Sequence, residues 1–278
     1  MKHFTLVILS LILTTAMAFG QKAPKVSWKK VKILVYTKNG KGYVHENIPH
    51  AVAAIQKLST AHGFQVDVSD DPSLFTEENL AQYNLLLFPS TNNDVFDNDA
   101  QRVVLRRFIE GGGGFVGLHS VVGTERNWKW FKMMIGGKFA WHPPFQDLQI
   151  KRMDAGHPSM AGMPAVWEKK DECYLMQELY PGIRVLMAHY LPAITYKEKD
   201  KEKFTSLAGN FGEYYPAVWY HHFDGGPVWV TALGHHKDDY NDPVFVKHIL
   251  QGITWVASEA RKPDFTKAYA TDRDTPVR

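Results

Sequence analysis

Four short strand-like runs, each separated from the next by a stretch of helical periodicity, constrain this chain more than any other feature. Residues 31–36, Val-Lys-Ile-Leu-Val-Tyr, predict a first strand. Ile48, Val52, Ile55 and Leu58 recur at helical spacing up to His62-Gly63, and residues 65–68 predict a second strand. Thr76 caps a short helix through Leu80, with Glu77 and Glu78 in the first turn, where the helix dipole favours negative charge. Residues 85–88 are wholly apolar, as a strand buried on both faces must be. Asp97-Asn98-Asp99 opens a helix carrying Val104, Leu105, Phe108 and Ile109; it ends at the glycines 111–114, and residues 115–118 predict a fourth strand. This alternation predicts an α/β fold, a doubly wound, mainly parallel sheet with right-handed crossovers. Ligands of such sheets bind in the crevice beyond the carboxyl ends of the strands. His119, where the fourth strand runs out, is therefore either a chemical group or a satisfied core histidine.

Beyond His119 the pattern loosens. Residues 124–145 carry Trp128, Trp130, Phe131, Phe139 and Trp141 before His142-Pro143-Pro144, and predict an aromatic loop over the crevice. Residues 216–220 and 228–233 flank Asp224-Gly225-Gly226, a hairpin signal. A last helix is expected over 243–257. The reading is one domain over 25–258 with a polar tail over 259–278.

The first residues, a basic start, a short apolar core and Ala16-Met17-Ala18, resemble a signal peptide over 1–18. The expectation is a periplasmic or secreted protein with no membrane span. Cys173 is the sole cysteine, so no disulfide forms within the chain. The formal charge of +3 comes from basic residues interleaved with acids, which predicts no nucleic-acid partner. Abundant aromatic rings in an exported protein fit a sugar-facing cleft, while for any single ring core packing is the first expectation.

Four histidines share a position in this scheme. His45 follows strand one, His119 follows strand four, His142 sits in the aromatic loop and His235 follows the second hairpin arm. His50, His62 and His248 read as surface or boundary residues of helices. Asp171 and Glu172 add carboxylates, which orient an imidazole and raise its pKa. Such a set either binds a divalent metal through His45, His119 and His142 or works as a metal-free acid/base pair. No Gly-x-Ser-x-Gly elbow, dinucleotide fingerprint or P-loop is present. Cys173 reads as a small buried residue.

The stretches Gly42-Tyr43-Val44-His45-Glu46-Asn47-Ile48, Gly112-Gly113-Gly114-Phe115-Val116-Gly117-Leu118-His119 and Gly136-Gly137-Lys138-Phe139 resemble the ThuA-like family, named after trehalose utilisation. His142-Pro143-Pro144, Gly156-His157-Pro158, Asp171-Glu172-Cys173-Tyr174 and Thr231-Ala232-Leu233-Gly234-His235 extend the resemblance. It implies the flavodoxin-like fold of class I glutamine amidotransferases, with His119 where those enzymes carry a catalytic cysteine, so glutamine hydrolysis is not expected. It also implies sugar metabolism, particularly of glycosides oxidised at C3. The family commonly has Arg where Val44 and Pro227 stand, and Thr where His236 stands.

On these grounds the first reading is an exported enzyme acting on a small saccharide or a 3-keto-glycoside. His119 is the expected base and His45 the acid or a metal ligand, with Asp171 or Glu172 orienting one of them. His142, His235 and Tyr43 would line the site, and Trp128, Trp130 and Trp141 would stack on sugar rings. The other readings are a non-catalytic sugar-binding or accessory subunit and a metal-dependent hydrolase. A homo-oligomer is open.

Overall fold

A computed structural model describes residues 24–278. The signal-peptide expectation falls on residues outside that range. Strand β1 (Lys32–Tyr36) leads through a long loop to α1 (Ile48–His62), β2 (Gln65–Ser69), α2 (Glu77–Leu80), β3 (Leu85–Pro89), α3 (Asp99–Glu110) and β4 (Gly114–Leu118). These match the predicted alternation. The caps behave as their chemistry dictates: the Thr76 hydroxyl accepts from the Asn79 N–H and the Asn98 side chain from the Gln101 N–H.

The glycine run has two causes. Gly112 has φ +99°, a left-handed turn that glycine adopts without strain. Gly113 and Gly114 lie so close to Phe108 and Val256 that a β-carbon at either would collide with them.

Residues 124–145 are more ordered than the predicted loop. They form α4 (Lys129–Ile135) and β5 (Lys138–Trp141), and β5 pairs with β8 (Leu175–Gln177) in a two-stranded sheet. Between them run β6 (Gln146–Arg152) and β7 (Val166–Asp171). Then come β9 (Arg184–Tyr190), α5 (Lys201–Ala208), the hairpin β10 (Tyr214–Phe223) and β11 (Gly226–Thr231), and α6 (Pro243–Glu259).

The main sheet has nine strands in the order β2-β1-β3-β4-β11-β10-β9-β6-β7. From β2 to β11 it is parallel, and beyond β11 it is antiparallel. The predicted hairpin is thus the hinge of the sheet rather than an appendage. β11 runs parallel to β4, with Thr231 opposite Leu118, so both strands end on the same edge. Because β2 and β3 lie on opposite sides of β1, the chain reverses direction there, and that edge is where a crevice opens.

The C-terminal segment folds back on α3 rather than trailing free. The Glu110 carboxylate accepts the backbone N–H groups of Tyr269 (2.8 Å) and Ala270 (3.0 Å). His248, expected near the surface, is fully buried on α6. Among the described residues no helix is long and apolar enough to cross a membrane.

Candidate functional site

Four chain segments converge beyond the carboxyl ends of β1, β4 and β11. His45 comes from the loop after β1, His119 is the first residue past β4, Glu172 follows β7 and His235 lies just past β11. Two buried side chains hold them together. The Asn47 amide donates to the carbonyls of Gly234 (2.7 Å) and His235 (3.0 Å), tying the first loop to the last. The Asp171 carboxylate accepts the N–H groups of Gly234 (2.8 Å) and His235 (3.1 Å). His119 has φ +49°, a conformation that non-glycine residues rarely take, and this turn swings its ring beneath the site.

Hydrogen-bond partners assign the tautomers of these rings. The Ser120 hydroxyl donates to the Thr91 carbonyl at 3.1 Å, so it accepts from His45 Nδ1 at 3.1 Å. His119 Nδ1 lies 3.2 Å from the Ala232 carbonyl, which can only accept. Both rings therefore carry their proton on Nδ1 and turn a bare Nε2 into one shared space. The Tyr174 hydroxyl borders it, 2.9 Å from His119 Nε2 and 3.5 Å from His45 Nε2. His235 Nδ1 is 3.3 Å from His119 Nε2 and 3.1 Å from Glu172 Oε2. Glu172 Oε2 stands 3.7 Å from His119 Nε2, and Oε1 stands 3.5 Å from His142 Nε2. His142 Nδ1 donates to the Pro143 carbonyl at 2.7 Å, which leaves Nε2 as its accepting nitrogen.

Above this floor opens a cleft of about 430 Å³, walled by Tyr43, Asn92, Arg126 and Phe139. A second cavity of about 450 Å³ lies behind Phe145, near Trp167 and Asp239. Several of its polar groups are already engaged: Lys169 pairs with Asp171 and Asp239, and Asp242 caps α6. The cleft over the histidines is the candidate site.

Burial dominates the electrostatics. It pushes the His45 imidazole down to about 4, helped by His235 and opposed by Glu172. It drives His119 well below the ordinary histidine range, with His45 and His235 adding to the effect. His235 moves up instead, because the hydrogen bond to Glu172 outweighs its partial burial. The Tyr174 phenol rises well above its usual value through burial and then the Glu172 charge.

The structure brings His45, Glu172, His142, His235 and Tyr43 into the cleft. His119, the expected base, belongs to the cluster but is completely buried beneath it, outside the cleft lining. Asp171 is also buried and serves the backbone of residues 234 and 235 rather than an imidazole. In the metal set expected from the sequence, His235 takes the place of His142: the ligand nitrogens of His45, His119 and His235 all lie within 4.8 Å of one another.

The tryptophans go elsewhere. Trp128 and Trp130 are core residues, their indole N–H groups spent on the Arg273 carbonyl (2.8 Å) and on Asp224 (2.7 Å). Trp141 is half-buried on β5 under Lys203, outside the cleft lining. Sequence reasoning missed Tyr174, Arg126, Asn92 and Ser120. Tyr174 stood inside a recognised stretch, and Ser120 and Arg126 follow His119 closely; Asn92, beyond β3, carried no signal.

A family model described as ThuA, trehalose utilisation, matches residues 32–256. No curated protein matches the sequence. Among solved structures, a ThuA-like protein from Bacteroides uniformis superposes with a TM-score of 0.68 at 21% identity, covering 88% of this chain and 99% of that one. A ThuA-like protein from Parabacteroides merdae gives 0.62 at 21% identity, over 82% and 90%. A carbohydrate deacetylase gives 0.51 at 13% identity, over 82% of this chain and 32% of that one. At these identities the structures share the fold.

Proposed function

We propose that this chain, which belongs to the ThuA family of trehalose utilisation, is an enzyme acting on a small saccharide or on a glycoside oxidised to its 3-keto form. One observation carries the reading. His45, His142, His235, Glu172 and Tyr174 share one wall of a cleft whose volume suits a small ligand, at the strand edge where α/β sheets bind ligands.

A ketone at C3 acidifies the C2 proton, so a single well-placed base is enough to start the reaction. His142 presents Nε2 to the cleft with its other nitrogen committed to Pro143, which makes it the base. Removing the C2 proton sends the C–H electron pair toward the C3 oxygen. The Arg126 guanidinium, in the lining, is the donor for that oxygen. The enolate then expels the C1 substituent, forming the C1–C2 double bond, and His142 returns the proton to the departing oxygen. Return of the proton to carbon instead gives isomerisation. Arg126 is fixed by Nε to the Gly123 carbonyl (2.9 Å) and Nη2 to Asn92 (3.0 Å), so it meets substrate pre-oriented.

The test is proton NMR of the purified protein in D₂O with trehalose, simple glucosides and their 3-keto forms. Deuterium entering C2 of the keto forms, or loss of the C1 substituent, is expected, and His142→Ala should slow it by about 10²–10⁴-fold. Line broadening of a sugar with no exchange and no product would sink the enzyme and leave a sugar-binding module.

A further inference from the structure

The geometry points to a divalent transition-metal site on the floor of this cleft, formed by His45, His119, His235 and Glu172. It is independent of which sugar the cleft takes. Four ligands at zinc-like bond lengths in a tetrahedron stand roughly 3.3–3.6 Å apart. Here His119 Nε2 to His235 Nδ1 is 3.3 Å, His235 Nδ1 to Glu172 Oε2 is 3.1 Å, and His119 Nε2 to Glu172 Oε2 is 3.7 Å. Three edges thus straddle the tetrahedral value with no side chain moved. His45 completes the set from the fourth segment, its ligand nitrogen within 4.8 Å of those of His119 and His235.

The hydrogen bonds around the rings are the second observation. A metal-bound imidazole usually donates its outer N–H to a carbonyl or another acceptor, which fixes the ring and leaves the inner lone pair free. His119 does this toward Ala232, and His45 does it toward Ser120, whose own proton is committed to Thr91. Two bare Nε2 lone pairs turned into one buried space are costly unless a donor or a cation meets them. The Tyr174 hydroxyl supplies one proton for both. Three imidazoles and one carboxylate are a donor set for zinc and its neighbours rather than for magnesium or calcium, which prefer oxygen.

The experiment uses the full protein without substrate. Metal content after purification in metal-free buffer is expected to be about one transition-metal ion per chain. A chelator-stripped sample should regain it, with the melting midpoint rising by roughly 5–10 °C at a hundredfold excess over Kd. Cobalt(II) should give the intense visible bands of a four-coordinate ion. His235→Ala and Glu172→Gln, both lining the cleft, should each weaken binding tenfold or more, while His142→Ala keeps it. No retained metal and no shift with zinc, manganese or cobalt would overturn the site, as would equal affinity in wild type, His235→Ala and Glu172→Gln. A response to magnesium alone would overturn the imidazole ligands. Since no arm reads sugar turnover, a failed site and a failed enzyme reading leave different records.

Discussion

The cluster beneath the C-terminal segment and the cluster on the cleft floor draw on similar residue types, buried carboxylates beside aromatic and nitrogen-bearing side chains. In the first, Arg106 is fully buried and its Nε meets Glu110 at 2.8 Å, with Asp224 3.5 Å from Nη2. Its other N–H groups reach the carbonyls of Arg273, Thr275 and Pro276. Asp224 also accepts from Trp130 (2.7 Å) and from the Tyr269 hydroxyl (2.6 Å). Donors and acceptors there are matched, so the cluster has nothing left for a ligand. On the cleft floor, acceptors outnumber the protons available to them. A surplus of lone pairs, rather than the presence of charge, separates a site from a structural clasp.

The largest expected effect tests the cleft side of that contrast. His142→Ala should lower turnover by about 10²–10⁴-fold while the melting midpoint stays put, because its half-exposed ring supports no core. A variant that melts early but turns over normally would reverse the comparison. Arg106→Ala tests the other side. Removing one partner of a buried ion pair strands the other, so a loss of about 3–5 kcal/mol in stability is expected, with unchanged KM in the fraction that stays folded. Activity lost before stability, compared by urea unfolding and steady-state kinetics, would mean that the clasp communicates with the cleft.

Histidines packed in the core sharpen the comparison through pH. Burial holds His221 down to about 4 and His248 down to about 3. Their folded pKa values lie below the unfolded one, so the unfolded chain binds more protons once the pH drops below about 6.5. Stability is therefore present above that value and is lost as the pH falls toward 4, with a slope of up to about 1.4 kcal/mol per pH unit from each ring. Urea unfolding at stepped pH should show this slope, and His248→Gln should flatten it by about one proton. An unaltered slope in that variant would place the acid sensitivity elsewhere. The smallest effect belongs to Trp130→Phe, which removes one hydrogen bond to Asp224 and part of a buried ring, and should cost about 1–3 kcal/mol. It should leave affinity for any sugar untouched; a weakened sugar affinity would return that ring to the site.

Trp128 and Trp130 also show where sequence reasoning fails. A tryptophan in a chain expected to be exported, with a resemblance to a sugar-related family, reads as a stacking platform, yet the same ring serves a core at least as well. Only its N–H partner decides, and here those partners are Arg273 and Asp224, more than ninety residues away in the chain. For His119 the reason is related. Its place at the end of β4 is legible, but φ +49° and the packing above it put the ring under the floor.

Residue periodicity, caps and the glycine run were enough to set the strands and helices through β4 and the parallel half of the sheet, because those signals act within one or two turns of chain. Strand position and family resemblance together singled out the candidate histidines. The antiparallel half beyond the predicted β10–β11 hairpin, the folding of residues 259–278 onto α3 and the company each histidine keeps were decided by tertiary structure alone. His45, His119, Glu172 and His235 meet through strand order and through contacts such as Asn47 to Gly234, 187 residues apart. The direction in which an imidazole turns its lone pair depends on what accepts its proton, and for His45 and His119 those acceptors lie 75 and 113 residues away.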